Sequence, residues 1–514
     1  MKNDTCKNLN FEDCELAILR QAVDTAEEKQ GKIAANSPEV KRIIGIVENF
    51  IRQKQLICYG GTAINNILPK QDQFYNTDVE IPDYDFYSSN ALTNAKELVD
   101  TYIKEGFVEV EAKSGQHHGT YKVFVNFIPV ADITSIPKEL FNAIKKDAIR
   151  VAGIYYAPPN LLRMSMYLEL SRPEGDVSRW EKVLKRLTLL NRNYPLTARQ
   201  CSHIDFQRKL SSSTPVLGKG ISDSDSISDS KSISHSRSSS ISSSRSNSRS
   251  SSRSKSEEIY ETVKSTLMDQ GVVFFGGYAV SLYSQYMPKH LRKHLEKIPD
   301  FDVLAEDPLI VAQIVKERLQ DINIKDIKII KRPAVGEIIA PHYEIRVGKD
   351  VVSFIYEPIA CHSYNVLKQQ GYNIKVATID TMLSFYLAFL YANRPYYDKD
   401  RILCMSKYLF EVQEKNRLQQ KGLLKRFSVN CMGHQETVEQ MRAEKTTKFA
   451  ELKDKKGTPE YDEWFLRYRP LDTKDGTKDG SKDGAKDGKK GNKKKTKRKI
   501  IRRKIKTRKG FFGY

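Results

Sequence analysis

Two aspartates one residue apart, Asp83 and Asp85 in the stretch EIPDYDF, have a type and spacing suited to chemistry. On a β-strand alternate residues share a face, so both carboxylates point the same way. Two ionised carboxylates this close repel, and burying both is costly unless a cation lies between them. A third, Asp132, sits in the apolar run VNFIPVADIT, which suits a buried neighbouring strand. Three carboxylates on adjacent strands can hold two divalent cations, Mg²⁺ or Mn²⁺, about 3.5–4 Å apart, one activating a hydroxyl nucleophile and one steadying a leaving phosphate. Asp83, Asp85 and Asp132 are therefore the expected metal ligands and catalytic residues. A D-x-D pair alone also fits a surface turn or a solvated strand end, so other features must support the chemistry.

One such feature lies upstream. Gly60-Gly61 ends a short apolar strand and precedes the helical pattern Thr62 to Ile67. Without side chains at that junction, a triphosphate can approach the backbone N–H groups and the positive end of the helix. Thr62 adds a hydroxyl donor. Downstream, a helix from Val177 to Leu190 places Trp180, Val183, Leu184 and Leu187 on one side and Arg179, Lys182, Lys185 and Arg186 around the other. Arg163 and Lys182 are expected at the triphosphate, and Arg179, Lys185 and Arg186 at nucleic-acid phosphates. The same cationic pattern also fits an ordinary solvated helix face.

The elements that must position these groups are written twice. Ser37 caps a helix whose first position is Pro38 and whose inner face is Val40, Ile43, Ile44, Val47, Phe50 and Ile51. Ser256 is expected to cap its counterpart, with Ile259, Val263 and Leu267 facing inward. LICYGGTAIN parallels VVFFGGYAVS, EIPDYDF parallels KIPDFDV, PVADITSIP parallels DVVSFIYEP, and RMSMYLELSRP parallels MLSFYLAFLYANRP. Four ordered landmarks at near-equal spacing indicate a tandem duplication. Strands alternate with helices in each copy, so the expected fold class is α/β (α+β), with two tandem domains. The second copy keeps Gly276, Gly277, Asp300 and Asp302, but by this alignment has Ser353 for Asp132, Tyr278 for Thr62, Met382 for Arg163 and Cys404 for Lys182. The groups assigned to metal and phosphate vanish together, which marks the second copy as degenerate.

The boundaries read as a helical extension over 1–36, a catalytic domain over 37–206, a linker over 207–255, a degenerate domain over 256–412, a helical extension over 413–470 and a tail over 471–514. Residues 211–256 hold 24 serines and cannot bury enough apolar surface to order themselves. A repeated KDG motif leads into 14 Lys/Arg without an acid between Lys489 and Lys509, including Lys493, Lys494, Lys495, Arg502 and Arg503. These two stretches carry +4 and +14 of the formal net charge of +21, so the body is nearly neutral and the tail is the expected arm for nucleic-acid phosphates. Seven irregularly spaced cysteines argue against a disulfide framework or a zinc site and for a reducing compartment. The longest apolar run, Met382 to Ala392, is too short to span a bilayer, and no apolar leader is evident, so the expectation is a soluble intracellular protein with no membrane contact.

The glycine pair, the D-x-D and the third aspartate together form the signature of the nucleotidyltransferase superfamily that includes polymerase beta. YGGTAIN, IPDYDFYS, VADIT and LLRMSMYLELSRPEGDVSRWEKVLKRLTLLN further resemble the polyadenylate polymerase catalytic subunits of large cytoplasmic DNA viruses, the giant-virus type most closely. That resemblance implies ATP as donor, RNA 3′ ends as acceptors, a homodimer, and a location in the host cytoplasm or the virion. The catalytic trio is shared by CCA-adding enzymes, oligoadenylate synthetases and nucleotidylating toxins, and it does not separate them. A scaffold that binds RNA without catalysis is the alternative outside enzymes.

Overall fold

A computed structural model describes residues 6, 9–76, 78–199, 201, 255–287, 301–369 and 371–470. Asp300, nearly all of the Ser-rich stretch, and the KDG repeats and basic tail with Lys493, Lys494, Lys495, Arg502 and Arg503 lie outside the described residues.

Ser37 behaves as its position suggests, accepting the Val40 N–H at 3.4 Å at the head of the Pro38–Lys54 helix. Val40, Ile43, Val47, Phe50 and Ile51 of that helix are buried. In the second copy Ser256 lies inside the described helix Lys255–Asp269 rather than at a cap.

Two mixed sheets form the frame. The first contains β1 (Ile57–Cys58), β2 (Tyr84–Ser88), β3 (Val110–Ser114), β4 (Thr120–Val125), β5 (Ile128–Ser135), β6 (Ile149–Val151) and β7 (Ile154–Tyr156). The second contains β8 (Val273–Phe274), β9 (Phe301–Leu304), β10 (Ile327–Arg332), β11 (His342–Val347), β12 (Asp350–Tyr356), β13 (His362–Gln369), β14 (Tyr372–Ala377) and β15 (Cys431–Met432). A last strand, β16 (Arg467–Tyr468), returns to the first sheet. The orders are β16-β3-β4-β5-β2-β1-β7-β6 and β10-β11-β12-β9-β8-β14-β13-β15. Setting aside β16 and β15, which each add to one edge, the two orders are the same strand for strand. The senses agree as well: β2 and β5 are parallel, as are β9 and β12, and β1–β2 is antiparallel, as is β8–β9. The fold is mixed α/β with 14 helices among the described residues.

Strand register refines the alignment of the copies. Val130 in β5 and Val352 in β12 are each passed over by the antiparallel neighbour. Counting from these extra residues, Ala131 corresponds to Ser353 and Asp132 to Phe354. Pairing PVADITSIP with DVVSFIYEP is therefore one residue out of the strands' own register.

The Pro159–Leu170 helix packs directly on the Ile379–Phe389 helix, so the duplicated landmarks meet at the junction of the two halves. All eleven residues of Ile379–Phe389 are buried, which explains the long apolar run there: it is core. No helix among the described residues is long and apolar enough to cross a membrane. The cysteines depart from expectation. Cys6–Cys14, Cys201–Cys404 and Cys361–Cys431 are joined as disulfides, and Cys58 is free and buried. Cys201 and Cys404 lie 203 residues apart, so linear spacing carried no sign of the pairing.

The segment after residue 412 is more than a helical extension, since it supplies the edge strands β15 and β16. Leu466 accepts the Ser114 N–H at 3.0 Å through its carbonyl, Lys96 pairs with Asp462 at 2.6 Å, and Tyr468 donates to Asp100 at 3.0 Å. The Leu466 side chain is 4% exposed. Leu466→Asp should bury an unpaired carboxylate at a cost on the order of 3 kcal/mol. The variant is expected to melt several degrees lower and to release the 438–470 segment to limited proteolysis; an unchanged melt and digest would show that this strap contributes little.

Candidate active site

β2 and β5 run parallel with Asp85 directly opposite Asp132. Asp83 lies one residue before β2, at its exposed lip. Three carboxylates therefore converge at one place on the sheet, as their spacing predicted. Their electrostatics show the strain of that arrangement. Loss of hydration, then the Asp132 charge, pushes the Asp83 carboxyl up to about 6. Burial, then the Asp83 and Asp132 charges, pushes Asp85 up to about 7, against the opposing fields of Lys122 and Arg179. Asp132 Oδ2 accepts from the Lys122 ammonium, while its Oδ1 is buried with no hydrogen-bond partner. A buried carboxylate oxygen without a donor, beside two carboxyls that resist ionisation, is the donor set a divalent cation satisfies. The residues fit such an ion.

The glycine pair is held in place by these same groups. Gly60 has φ +71°, and a Cβ there would stand 2.4 Å from Asp85 Oδ2. A Cβ on Gly61 would stand 2.4 Å from the Tyr75 hydroxyl and 2.9 Å from Arg186 Nη1. The Gly60–Ile67 helix thus starts hard against Asp85 on one side and against Tyr75 and Arg186 on the other. The Tyr59 N–H donates to the Asp85 carbonyl at 2.9 Å, tying the strand before the pair to β2.

Thr62 does not present its hydroxyl proton to a ligand, because it donates to the Asp83 carbonyl at 2.7 Å. Its effect is to fix the backbone that carries Asp83. Arg163 is a clearer departure: it is 1% exposed and bonds Asn191 Oδ1 at 2.7 Å, Asn160 Oδ1 and the Tyr194 carbonyl. All its reach is spent pinning the Pro159–Leu170 helix to the next one, so it is structural. Burial is what separates the two roles, and a sequence motif does not report burial.

The predicted cationic helix is a 3₁₀ turn over Val177–Arg179 followed by the Trp180–Asn193 helix. Its cations divide. Arg186 donates to the Tyr75 hydroxyl at 2.7 Å, lies over the Phe74 and Tyr75 rings, and so sits beside Gly61. Arg179 pairs with Glu169 at 3.1 Å, and its charge is felt at Asp85. Burial, then the Arg186 and Arg179 charges, holds the Lys182 ammonium below its ordinary range. Lys185 pairs with Glu181 on the open surface at 2.6 Å.

Several contributors escaped the sequence reading. Lys122 was one, and its signal was a lysine ten residues before Asp132 on the other arm of a hairpin. Asn65, buried, accepts the Phe74 and Tyr75 N–H groups at 2.8 and 2.9 Å and so anchors the loop that carries Tyr75. Tyr87, two residues beyond Asp85 on the same face, stacks on Tyr59 at 4.0 Å, and the Tyr59 hydroxyl lies 2.8 Å from that of Thr134. In the second sheet Asp302 faces Phe354, and a Cβ on Gly276 would stand 2.3 Å from Asp302 Oδ2. The glycine-to-aspartate contact survives there without a third carboxylate.

Because Gly60 is both left-handed and in contact with Asp85, Gly60→Ala should displace that carboxylate. Turnover is expected to fall about a hundredfold, the usual cost of an ångström of misplacement, while the protein remains folded. Near-normal turnover would dissociate the glycine from the carboxylates. A second expectation concerns pH. With its folded value raised above that of an unfolded aspartate, Asp85 holds its proton in the native state over a window where the unfolded chain has lost it, so its contribution to stability falls as pH rises through about 7. In EDTA, Asp85→Asn should therefore gain in melting temperature relative to wild type between pH about 5 and about 8. A gap that stays constant or narrows over that range would contradict the assignment.

Residues 45–176 match the family model described as poly(A) polymerase catalytic subunit. A protein of Acanthamoeba polyphaga mimivirus described as a poly(A) polymerase catalytic subunit is 31% identical over 176 residues, covering 34% of this chain and 28% of that protein. One of African swine fever virus, strain Badajoz 1971 Vero-adapted, with the same description is 32% identical over 171 residues, covering 32% of this chain and 36% of that one. The matched region thus spans only about a third of these curated relatives. The crystal structure of the Megavirus polyadenylate synthase has a similar fold, with a TM-score of 0.67 at 18% identity, over 89% of this chain and 85% of that one. The resemblance to the poly(A) polymerase catalytic subunits of large DNA viruses is therefore borne out, in sequence over residues 45–176 and in fold over most of the chain.

Proposed function

We propose that this chain is a template-independent polynucleotide adenylyltransferase, transferring AMP from ATP to RNA 3′ ends. The observation that carries the reading is the register of Asp85 with Asp132, next to Asp83 and with Asp132 Oδ1 buried and unpartnered. Asp83, Asp85 and Asp132 would hold two divalent cations, Mg²⁺ or Mn²⁺, which when bound would activate the attacking hydroxyl and neutralise the departing pyrophosphate.

The chain's own groups then do the positioning. The backbone N–H groups at the head of the Gly60–Ile67 helix receive the triphosphate, and the two glycines let Asp85, Tyr75 and Arg186 stand close beside it. Arg186, against Gly61, and Lys182 supply the nearest positive charge to it. Arg186 thus moves from the expected RNA contacts to the triphosphate, while Arg179 and Lys185 remain candidates for RNA phosphates. The RNA 3′ hydroxyl loses its proton to solvent and its oxygen attacks the α-phosphorus, the bond from that phosphorus to the α,β-bridging oxygen breaks, and pyrophosphate leaves with the electron pair. The second half, where Phe354 stands in the place of Asp132, takes no part in transfer and serves as a frame for the first. A homodimer and a location in the host cytoplasm or virion accompany this reading through the family likeness.

The test is incorporation on a labelled RNA primer with each nucleotide in turn. A long ladder with ATP alone is expected, and Asp85→Ala should reduce it about a thousandfold or more, the equivalent of several kcal/mol of lost transition-state stabilisation. Three added nucleotides would indicate CCA addition instead. Activity of Asp85→Ala within a few-fold of wild type would reject the three-aspartate site.

A further inference from the structure

The β4–β5 hairpin brings a cation into the carboxylate cluster that the reaction above leaves without a role. Lys122 stands directly opposite Asp132 across the antiparallel β4–β5 pair, and Asp132 stands directly opposite Asp85 across the parallel β5–β2 pair. Residues opposite one another on neighbouring strands share a face, so lysine, third carboxylate and second carboxylate form a row. The Lys122 ammonium donates to Asp132 Oδ2, and Asp132 Oδ1 is left buried and unpartnered. The two oxygens of one carboxylate are thereby given different work. The lysine side chain is 41% exposed and that of Asp132 17%, so the ammonium reaches in from solvent to a carboxylate that cannot reach out.

The second half supplies a built-in comparison. In the matching row of β11, β12 and β9, Glu344 stands opposite Phe354 and Phe354 opposite Asp302. The position of Lys122 has become an acid and that of Asp132 a phenylalanine. Glu344 is neutralised from elsewhere, by Arg332 at 2.5 Å and by Arg346. Where the third carboxylate is gone, its lysine is gone too, although the strands that would carry both persist.

We propose that Lys122 is a positioning residue for Asp132: it holds Oδ2 so that Oδ1 faces the cation site, and it is the counter-charge of the cluster until divalent cations arrive. This rests on the reading of Asp83, Asp85 and Asp132 as a cation site, and not on which nucleotide is added. With the cations absent, one ammonium is the nearest compensation for three carboxylates. With them bound, its charge is redundant for stability, and its hold on Oδ2 matters for geometry.

The test uses the full chain with Lys122→Met and Lys122→Arg. Thermal melts are recorded in EDTA and in saturating Mn²⁺ without nucleotide or RNA, and kcat and KM are then measured in saturating Mn²⁺. Lys122→Met is expected to melt several degrees below wild type in EDTA and close to wild type in Mn²⁺, whereas Lys122→Arg should follow wild type in both. Lys122→Met should also lose about tenfold in kcat with KM for ATP and RNA little changed, as expected when a group acts through the catalytic geometry rather than on substrate. Lys122→Arg should recover most of that loss. An equal drop in melting temperature in both conditions would make the lysine merely structural and overturn the proposal. So would a raised KM for ATP or RNA at unchanged kcat, which would make Lys122 a substrate contact. If wild type itself shows no Mn²⁺-dependent rise in melting temperature, the cation site fails, and this proposal with it.

Discussion

Repulsion among three carboxylates is the constraint around which the first half of this protein is built. Parallel pairing of β2 and β5 forces Asp85 and Asp132 to face one another, and Asp83 joins them from the strand's lip. Nothing about a sheet favours that cluster; loss of hydration and mutual charge push Asp83 and Asp85 well above ordinary carboxylate values. The surrounding contacts hold the cluster in spite of this. Thr62 fixes the Asp83 backbone, Tyr59 fixes that of Asp85, Gly60 leaves room for the Asp85 carboxylate, and Lys122 engages Asp132. Each contact is ordinary alone. Together they hold in place groups that would otherwise protonate or splay, which is what a preorganised cation site requires.

The duplicated half shows which parts of this arrangement belong to the fold and which to the chemistry. Strand order, strand sense, the extra residue in the fifth strand and the close approach of glycine to aspartate are all retained. The third carboxylate and its lysine are not. The space around Phe354 is instead filled by rings, with His342, Tyr356 and Tyr396 packed about it. That half therefore gains a conventional core where the first half carries a costly polar cluster. Its Ile379–Phe389 helix lies against Pro159–Leu170, the helix from which Arg163 pins the cationic helix in place. The second copy is thus connected, through two packed helices, to the element that carries Lys182 and Arg186.

Much of this was readable from residue types and spacing. The glycine pair, the D-x-D and the apolar strand of Asp132 identified the cluster, since each has few other uses in that order. Ser37 and Pro38 marked a helix start because a capping hydroxyl and a proline have local, sequence-visible causes. What was not readable depends on which strand lies beside which. Lys122 became visible only with the β4–β5 register, and Phe354 replaced Ser353 as the counterpart of Asp132 only with the extra residue in each strand. Arg163 looked like a phosphate ligand because charge is visible in sequence while burial is not. The same holds for the disulfides and for β16, whose partners lie hundreds of residues away along the chain.

On the proposed reading, Asp83, Asp85 and Asp132 form a two-cation site and the second half does not. Anomalous diffraction from crystals soaked in Mn²⁺ with a non-hydrolysable ATP analogue tests it most directly. Two peaks about 3.5–4 Å apart are expected among Asp83, Asp85 and Asp132, with Asp132 Oδ1 on one of them, and no peak at Asp302. A Mn²⁺ peak at Asp302, or an empty cluster at Asp83, Asp85 and Asp132 with the nucleotide analogue bound, would contradict it.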